Sequence, residues 1–180
     1  FPPFERAIEA GVFTFMAAHN EINGEPAHGS KFLLTEVLRE DWNFDGFVVS
    51  DWMDVSRLHT FHKVAENPKE AVYQTVDAGM DMNMHGPNFA PYVLELVKEG
   101  RISERRIDDS VRPILTAKFR LGLFEKSIVD KEVSKGSIHT AEHQQTSLDI
   151  ARESIVLLKN KGDVLPLKPG IKIMLTGPNA

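Results

Sequence analysis

The chain has 180 residues, of which 42% are hydrophobic and 26% charged, a composition typical of a globular protein with a sizeable core and not of a disordered chain. Its net charge of -5 argues against a nucleic-acid surface, and no apolar run approaches the roughly 20 residues of a membrane span. The absence of cysteine excludes disulfides and thiolate metal sites.

Strand-like and helix-like segments alternate at the start of the chain. The run at 11–18 is apolar and rich in β formers, which predicts a parallel strand buried on both faces. A helix with Ser30 as its N-cap is predicted next. The sequence "GFVVS" at 46–50 predicts a second buried strand. This order indicates a parallel α/β arrangement.

The alternation continues to residue 100. Asn67 followed by Pro68 predicts a helix start, and Gly79 predicts its end. The segment Met80–Met84 then predicts a third short strand, and 89–100 a further helix. Three strand-helix units belong to a parallel α/β sheet or barrel, but they are too few to close an eight-stranded barrel. We therefore expect a piece of a longer polypeptide.

The rest of the chain predicts a different organisation. A helix is expected over 103–124, with a kink near Pro113 because a proline removes an internal hydrogen bond. Residues 125–139 are polar and predict a surface linker. Thr140 is expected to cap a helix that runs to Ser154. Two strands are predicted after it, at 155–158 and 171–177.

Polar clusters follow each of the three predicted strands of the first part. They are "HNEING" at 19–24, "SDWMD" at 50–54 and "HGPN" at 85–88. Because catalytic groups gather at the carboxyl ends of parallel strands, we expect all three on one face. Asp51 lies one residue beyond the four apolar residues at 46–49. It is a candidate catalytic carboxylate, with a helix N-cap or an acid of the loop as the open alternatives.

The neighbours of Asp51 have two interpretations each. Trp52 suggests a platform for a sugar ring, or else a packing residue. His19 belongs either to the same pocket or to a structural hydrogen bond. The methionines of the third predicted strand are expected to fill the core, although Met84 and His85 stand where a pocket wall would be.

No metal or cofactor is expected. His59-x-x-His62 and His139-x-x-x-His143 have metal-like spacings, but neither has an obvious third ligand. The chain also lacks the G-x-S-x-G, Walker and dinucleotide-binding patterns.

Several segments together resemble glycoside hydrolase family 3, the family of β-glucosidases and exo-β-glucanases, in the family's own order and over nearly the whole chain. The matching segments are "MAAHNEINGEPAH", "LLTEVLREDWNFDGFVVSDW", "AGMDMNM", "GRISERRIDDSVRPILTAKFRLGLFE" and "ARESIVLLKNKGDVLPL".

The resemblance implies an α/β fold with three parts. Residues 1–124 would form the C-terminal part of a (β/α)8, TIM-like barrel, 125–139 an interdomain linker, and 140–180 the start of an α/β sandwich domain. It also implies a retaining mechanism in which Asp51, the aspartate of the "SDW" motif, is the nucleophile. A retaining glycosidase needs one such ionised carboxylate close to the anomeric carbon.

The family's second catalytic group is a glutamate of the sandwich domain, which would lie beyond Ala180. The family's Lys-His pair, and an Asp and an Arg that bind the sugar hydroxyls, belong to strands of the barrel that precede this segment. Glu21 and Glu25 have no assigned role in the resemblance. The remainder of the same polypeptide is therefore an implied partner, and the segment alone is expected to be inert or unfolded.

Two positions refine the implied substrate. Many family members have an aromatic residue, commonly tyrosine, at the position of His19, and a histidine there would make the pocket sensitive to pH. Trp52 matches members that act on β-glucosides and glucans. Substrate binding is thus expected at Trp52, His19, Met84 and His85.

The resemblance implies an exo-acting β-glucosidase that removes terminal β-D-glucosyl residues through a covalent glycosyl-aspartate. The alternatives are a β-xylosidase, a mixed-specificity enzyme, or a non-catalytic carbohydrate-binding descendant. The family resemblance favours a periplasmic or secreted location and is compatible with a homodimer.

Overall fold

The computed structural model describes residues 1–178, which divide into two compact units, Phe1–Ser127 and a second that begins at Ile128. The first unit is an α/β fold with many helices and few strands. Its elements in chain order are α1 (Pro2–Glu9), β1 (Thr14–Met16), β2 (Glu21–Ile22), β3 (Glu25–Pro26), a 3₁₀ helix (Ala27–Gly29), a π-helix (Phe32–Asp41), β4 (Phe47–Val49), α2 (Asp54–Thr60), α3 (Pro68–Ala78), α4 (Phe89–Lys98) and α5 (Glu104–Arg120).

The first two predicted strands pair with each other. β1 and β4 are parallel, with Phe15 opposite Val48. Val48 is fully buried in a core that also contains Leu34 and Met80. This burial agrees with the apolar runs from which both strands were predicted.

The predicted third strand, Met80–Met84, is reduced to single bridges. Met82 bridges to Val49 in the parallel sense, but the Val48 N–H donates to the Asp81 carboxylate at 2.8 Å where a continuous ladder would use a backbone carbonyl. Because the segment is not a regular strand, residues two apart need not share a face. Met80 is buried, whereas Met82 and Met84 are exposed and do not fill the core as expected.

A short antiparallel hairpin, β2–β3, was not predicted. Its turn consists of Asn23 and Gly24, both with positive φ, at 54° and 83°. Asn-Gly is the most favourable pair for such a turn, so the signal was present in the sequence. The hairpin follows His19 and leads directly into the 3₁₀ helix that carries His28.

Helix ends with local signals lie where the sequence places them. The Asn67 side chain accepts the Glu70 N–H at 2.9 Å, and Gly79 closes α3 with φ of 118°. The helix predicted from Ser30 is a π-helix that begins at Phe32, and the Ser30 hydroxyl accepts the Leu33 N–H at 3.3 Å. α5 ends at Arg120, before the predicted residue 124, because a turn with Gly122 at positive φ follows it.

The second unit contains α6 (Lys131–Ser137) and α7 (Ala141–Ser154). Thr140 accepts the His143 N–H at 3.2 Å and caps α7 as predicted. α6 lies within the predicted linker, where the Asp130 side chain caps it through the Glu132 N–H.

The strands predicted at 155–158 and 171–177 are not formed, since no residue from 155 to 178 is in a strand. A strand requires a neighbour for its N–H and C=O groups, and the described part of this unit provides none. In residues 1–178 no helix is long and apolar enough to span a membrane.

Candidate active site

The end of β4 is anchored to the segment after α3 by Ser50. This serine is fully buried, and its N–H donates to the Met82 carbonyl at 2.8 Å. Its Oγ accepts the Met84 N–H at 2.8 Å and lies 3.3 Å from Asn83 Oδ1. These bonds fix the backbone immediately before Asp51.

Asp51 is held at three points and keeps an open face. Its N–H donates to His28 Nε2 at 2.9 Å, its Oδ1 accepts the Trp52 N–H at 2.5 Å, and its Oδ2 lies 3.0 Å from His19 Nε2. The side chain is 22% exposed. Asp51 is not an N-cap, because α2 begins at Asp54 with Met53 in the capping position.

His19 lies between two carboxylates. Its Nε2 faces Asp51, and its Nδ1 contacts Asp54 Oδ2. Half of the His19 side chain is exposed, so the ring forms part of the site surface. The clusters after β1 and β4 therefore meet, as the position of both strand ends predicts.

Asp54 lies in the predicted polar cluster at 50–54, but its role in the site was missed. Its side chain is 3% exposed and accepts from Arg57 Nη1 at 2.8 Å. It also lies 3.5 Å from His28 Nδ1. The available signal was the second acid three residues after Asp51, although two of its partners, His19 and His28, are remote in sequence.

His28 was also missed. It is 2% exposed, and burial lowers the pKa of its imidazole below the ordinary value of 6.5, even though Asp54 acts in the opposite direction. Because Nε2 accepts the Asp51 N–H, the proton of the neutral ring is on Nδ1 and faces the Ala18 carbonyl and Asp54.

Trp52 and His85 form an aromatic platform beside Asp51. Their rings are stacked, with centroids 4.0 Å apart and planes 8° from parallel. The Met53 N–H donates to the His85 carbonyl at 3.2 Å and holds the two segments together. Trp52 is 55% exposed, and Met84, which precedes His85 in sequence, is also exposed, so this surface is accessible.

One group in the described residues has metal-like geometry. His19, Asp51 and Asp54 offer ligand atoms within 4.8 Å of one another. Arg57 already compensates the charge of Asp54, which makes this group a poor cation site. Of the predicted metal-like pairs, His59 bonds to the Ala65 carbonyl and His62 to Glu21.

A cavity of about 400 Å³ adjoins the cluster on the side of α2. Arg57 and Met53 line it, together with Phe89 and Tyr92. Neither Asp51 nor the Trp52 platform lines this cavity, so it is separate from the exposed face of the carboxylate.

The first 117 residues match the family model described as the glycosyl hydrolase family 3 N-terminal domain. This chain belongs to glycosyl hydrolase family 3. The resemblance identified from the sequence motifs is thereby confirmed, and the α/β fold with few strands is consistent with the N-terminal domain of that family.

Two relatives illustrate the similarity of this family 3 chain to known proteins. A β-xylosidase of Formosa agariphila is 42% identical over 99% of this chain and 26% of its own length. The structure of a β-glucosidase from Erythrobacter marinus is 43% identical, with a TM-score of 0.81 over 93% of this chain and 22% of that one.

A third relative has been solved with a sugar bound. The β-glucosidase of Listeria innocua in complex with glucose is 37% identical, with a TM-score of 0.79 over 93% of this chain and 23% of that one. The family 3 chain described here thus spans about a quarter of the length of the relatives it matches.

Proposed function

We propose that this chain carries the nucleophile of a retaining, exo-acting β-glucosidase and that Asp51 is that nucleophile. The observation that carries the proposal is the position of Asp51 at the end of β4, fixed by three contacts yet 22% exposed beside the Trp52 platform. Membership of glycosyl hydrolase family 3 and the names of its β-glucosidase relatives support this chemistry.

The proposed reaction has two displacements. An Asp51 oxygen attacks the anomeric carbon while the bond to the leaving oxygen breaks and an acid protonates that oxygen. Water then attacks the same carbon of the glycosyl ester, gives a proton to the conjugate base and releases Asp51 as a carboxylate. The anomeric configuration is retained because each displacement inverts it.

The proposed roles of the neighbouring residues follow from their contacts. The exposed face of Trp52, backed by His85, would pack against the apolar face of a pyranose, and Met84 would border it. His19 would hold Asp51 from the sugar side. No metal or cofactor enters the proposed reaction.

The acid is proposed to come from the remainder of the polypeptide. In this chain Glu21 is paired with His62 at 2.6 Å, and Glu25 accepts from Ser30 at 2.9 Å. Both carboxylates have partners away from Asp51. We therefore propose that the first unit completes a (β/α) barrel, and that a sandwich domain to which the second unit belongs contributes the acid.

Substitution of Asp51 in the full-length polypeptide tests the proposal. Asp51→Asn should abolish turnover, and a 2-deoxy-2-fluoroglucoside should add its glycosyl mass to the peptide that contains Asp51. The control is Asp77→Asn, an exposed acid on α3 that pairs weakly with Lys31 at 3.7 Å. Near-normal hydrolysis by Asp51→Asn, or label on a different peptide, would overturn the assignment.

A second substrate is favoured by one observation, the 42% identity to a β-xylosidase. Both sugars present the same apolar ring face to an indole, so the platform alone does not select between them. Comparing kcat/KM on nitrophenyl β-glucoside and β-xyloside separates the two. A ratio above about 10, equivalent to ~1.4 kcal/mol, would assign one sugar.

A further inference from the structure

A buried carboxylate stands directly behind the proposed nucleophile. Asp54 is 3% exposed, lies three residues after Asp51 and begins α2. A carboxylate at this depth is costly unless it is paired and hydrogen-bonded. Its pairing partners therefore indicate why it is there.

The partners of Asp54 come from three separate elements. His19 follows β1, His28 lies on the 3₁₀ helix, and Arg57 lies one turn along α2. Arg57 Nη1 bonds to Oδ1 at 2.8 Å, which leaves Oδ2 directed at the two imidazoles. The arginine and the buried His28 thus fix the orientation of the Asp54 carboxylate toward His19.

The hydrogen-bond geometry of His19 depends on this carboxylate. Its Nδ1 contacts Asp54, and its Nε2 lies 3.0 Å from Asp51. Asp54 contacts Nδ1 directly and also positions Arg57, whose Nη1 lies 3.1 Å from the same nitrogen, so the carboxylate determines the plane of the ring. That plane directs Nε2 at the Asp51 oxygen.

We propose that Asp54 is the positioning residue of this site and acts on Asp51 through His19. The inference rests on the proposed function, because it assigns Asp54 a role in the reaction of Asp51. Asp54 does not touch the sugar. It holds the His19 ring, and Nε2 of that ring in turn contacts the attacking carboxylate at 3.0 Å.

A double-mutant cycle in the full-length polypeptide tests this inference. We expect Asp54→Asn to lower kcat/KM about 10- to 100-fold, since a small misplacement of a reacting group can cost ~10²-fold. In a His19→Phe background, which removes both ring nitrogens, the same substitution should cost less than about 3-fold. Equal losses in the two backgrounds would mean that Asp54 is only structural and would overturn the proposal.

Arg57→Gln gives a second route if Asp54→Asn does not fold. Arg57 is 42% exposed, so its loss leaves no large cavity. Arg57→Gln should lower kcat/KM by a smaller factor than Asp54→Asn. This loss should again disappear in the His19→Phe background. An effect that persists in that background would contradict the role of Asp54.

Labelling separates the failure of this inference from the failure of the proposed function. If the fluoroglucoside does not label Asp51 in the wild-type protein, the proposed nucleophile is wrong and the positioning role falls with it. If Asp51 is labelled, the labelling rate should show the same His19-dependent loss for Asp54→Asn. A rate unaffected by Asp54→Asn would overturn the positioning role alone.

Discussion

At the scale of single residues, His28 links the stability of the site to pH. Its pKa is lowered by burial, so the folded state binds a proton less readily than the unfolded state. Stability from this residue is fully present above the ordinary pKa of 6.5 and is lost as pH falls through the lowered folded pKa. Protonation would also remove the Nε2 lone pair that accepts the Asp51 N–H.

The prediction is that His28→Gln flattens the pH dependence of stability below neutrality. One residue contributes at most about 1.4 kcal/mol per pH unit. Melting temperatures of the full-length protein and the variant, measured from pH 7.5 to 5, check this expectation. An unchanged slope in the variant would show that His28 titrates alike in the folded and unfolded states.

Trp52 carries the second prediction at this scale. Trp52→Ala removes the stacked face on His85 and should raise KM for a β-glucoside about 10-fold, since an aromatic contact contributes ~0.5–1.5 kcal/mol. Phe32→Ala, an exposed aromatic on the π-helix, is the matched control and should leave KM unchanged. If both variants have the same KM, Trp52 is not part of the sugar platform.

The residues of the site differ in how far the sequence could predict them. Asp51 and Trp52 follow an apolar run, and a strand end is a local signal. The partners of Asp54 lie 3, 26 and 35 residues away in sequence; His19, the most remote, was predicted as a site residue, whereas His28 was missed. Only the pairing of β1 with β4 and the unpredicted hairpin bring these histidines to Asp54.

At the scale of elements, the parallel pair β1–β4 depends on Gly46. A Cβ at this position would lie 2.1 Å from the Phe13 carbonyl oxygen and 2.6 Å from the Phe44 ring. Gly46→Ala should therefore destabilise the protein by about 1–3 kcal/mol or more. Gly29→Ala, whose Cβ would meet only Leu58 at 3.7 Å, should be tolerated.

Hydrogen exchange in the full-length protein distinguishes the two variants. Gly46→Ala should speed exchange in the peptides of β1 and β4, whereas Gly29→Ala should leave them protected. Equal protection of β4 in both variants would mean that the strand pair accommodates the added methyl group without losing its hydrogen bonds. This outcome would contradict the prediction for Gly46.

Elements were predictable when their signals were local. The caps at Asn67 and Thr140 bond within three residues, so the sequence alone identifies them. The prediction of a strand at Met80–Met84 was wrong because the Asp81 carboxylate accepts the Val48 N–H that a regular ladder would pair with a backbone carbonyl. The predictions of strands at 155–158 and 171–177 were wrong because a strand needs a pairing partner, which a local sequence pattern does not reveal.

At the scale of the whole first unit, one buried carboxylate joins three elements. Asp81 has a side chain 1% exposed and accepts the Val48 N–H at 2.8 Å and the Ser110 hydroxyl at 2.8 Å. Arg39 of the π-helix pairs with its Oδ2 and Arg106 of α5 with its Oδ1. β4, the π-helix and α5 are thus held by a single charged centre away from Asp51.

Asp81→Asn is the final prediction. The substitution leaves two half-buried guanidinium groups without their carboxylate, and breaking such a buried pair costs about 3–5 kcal/mol. We expect a large fall in the melting temperature, with faster exchange in both the π-helix and α5. Asp109→Asn, which removes only an exposed 3.9 Å contact with Arg105, should change stability by less than about 0.5 kcal/mol. Faster hydrogen exchange in α5 alone would show that Asp81 does not couple the two helices, since the loss of a shared ion pair must loosen both.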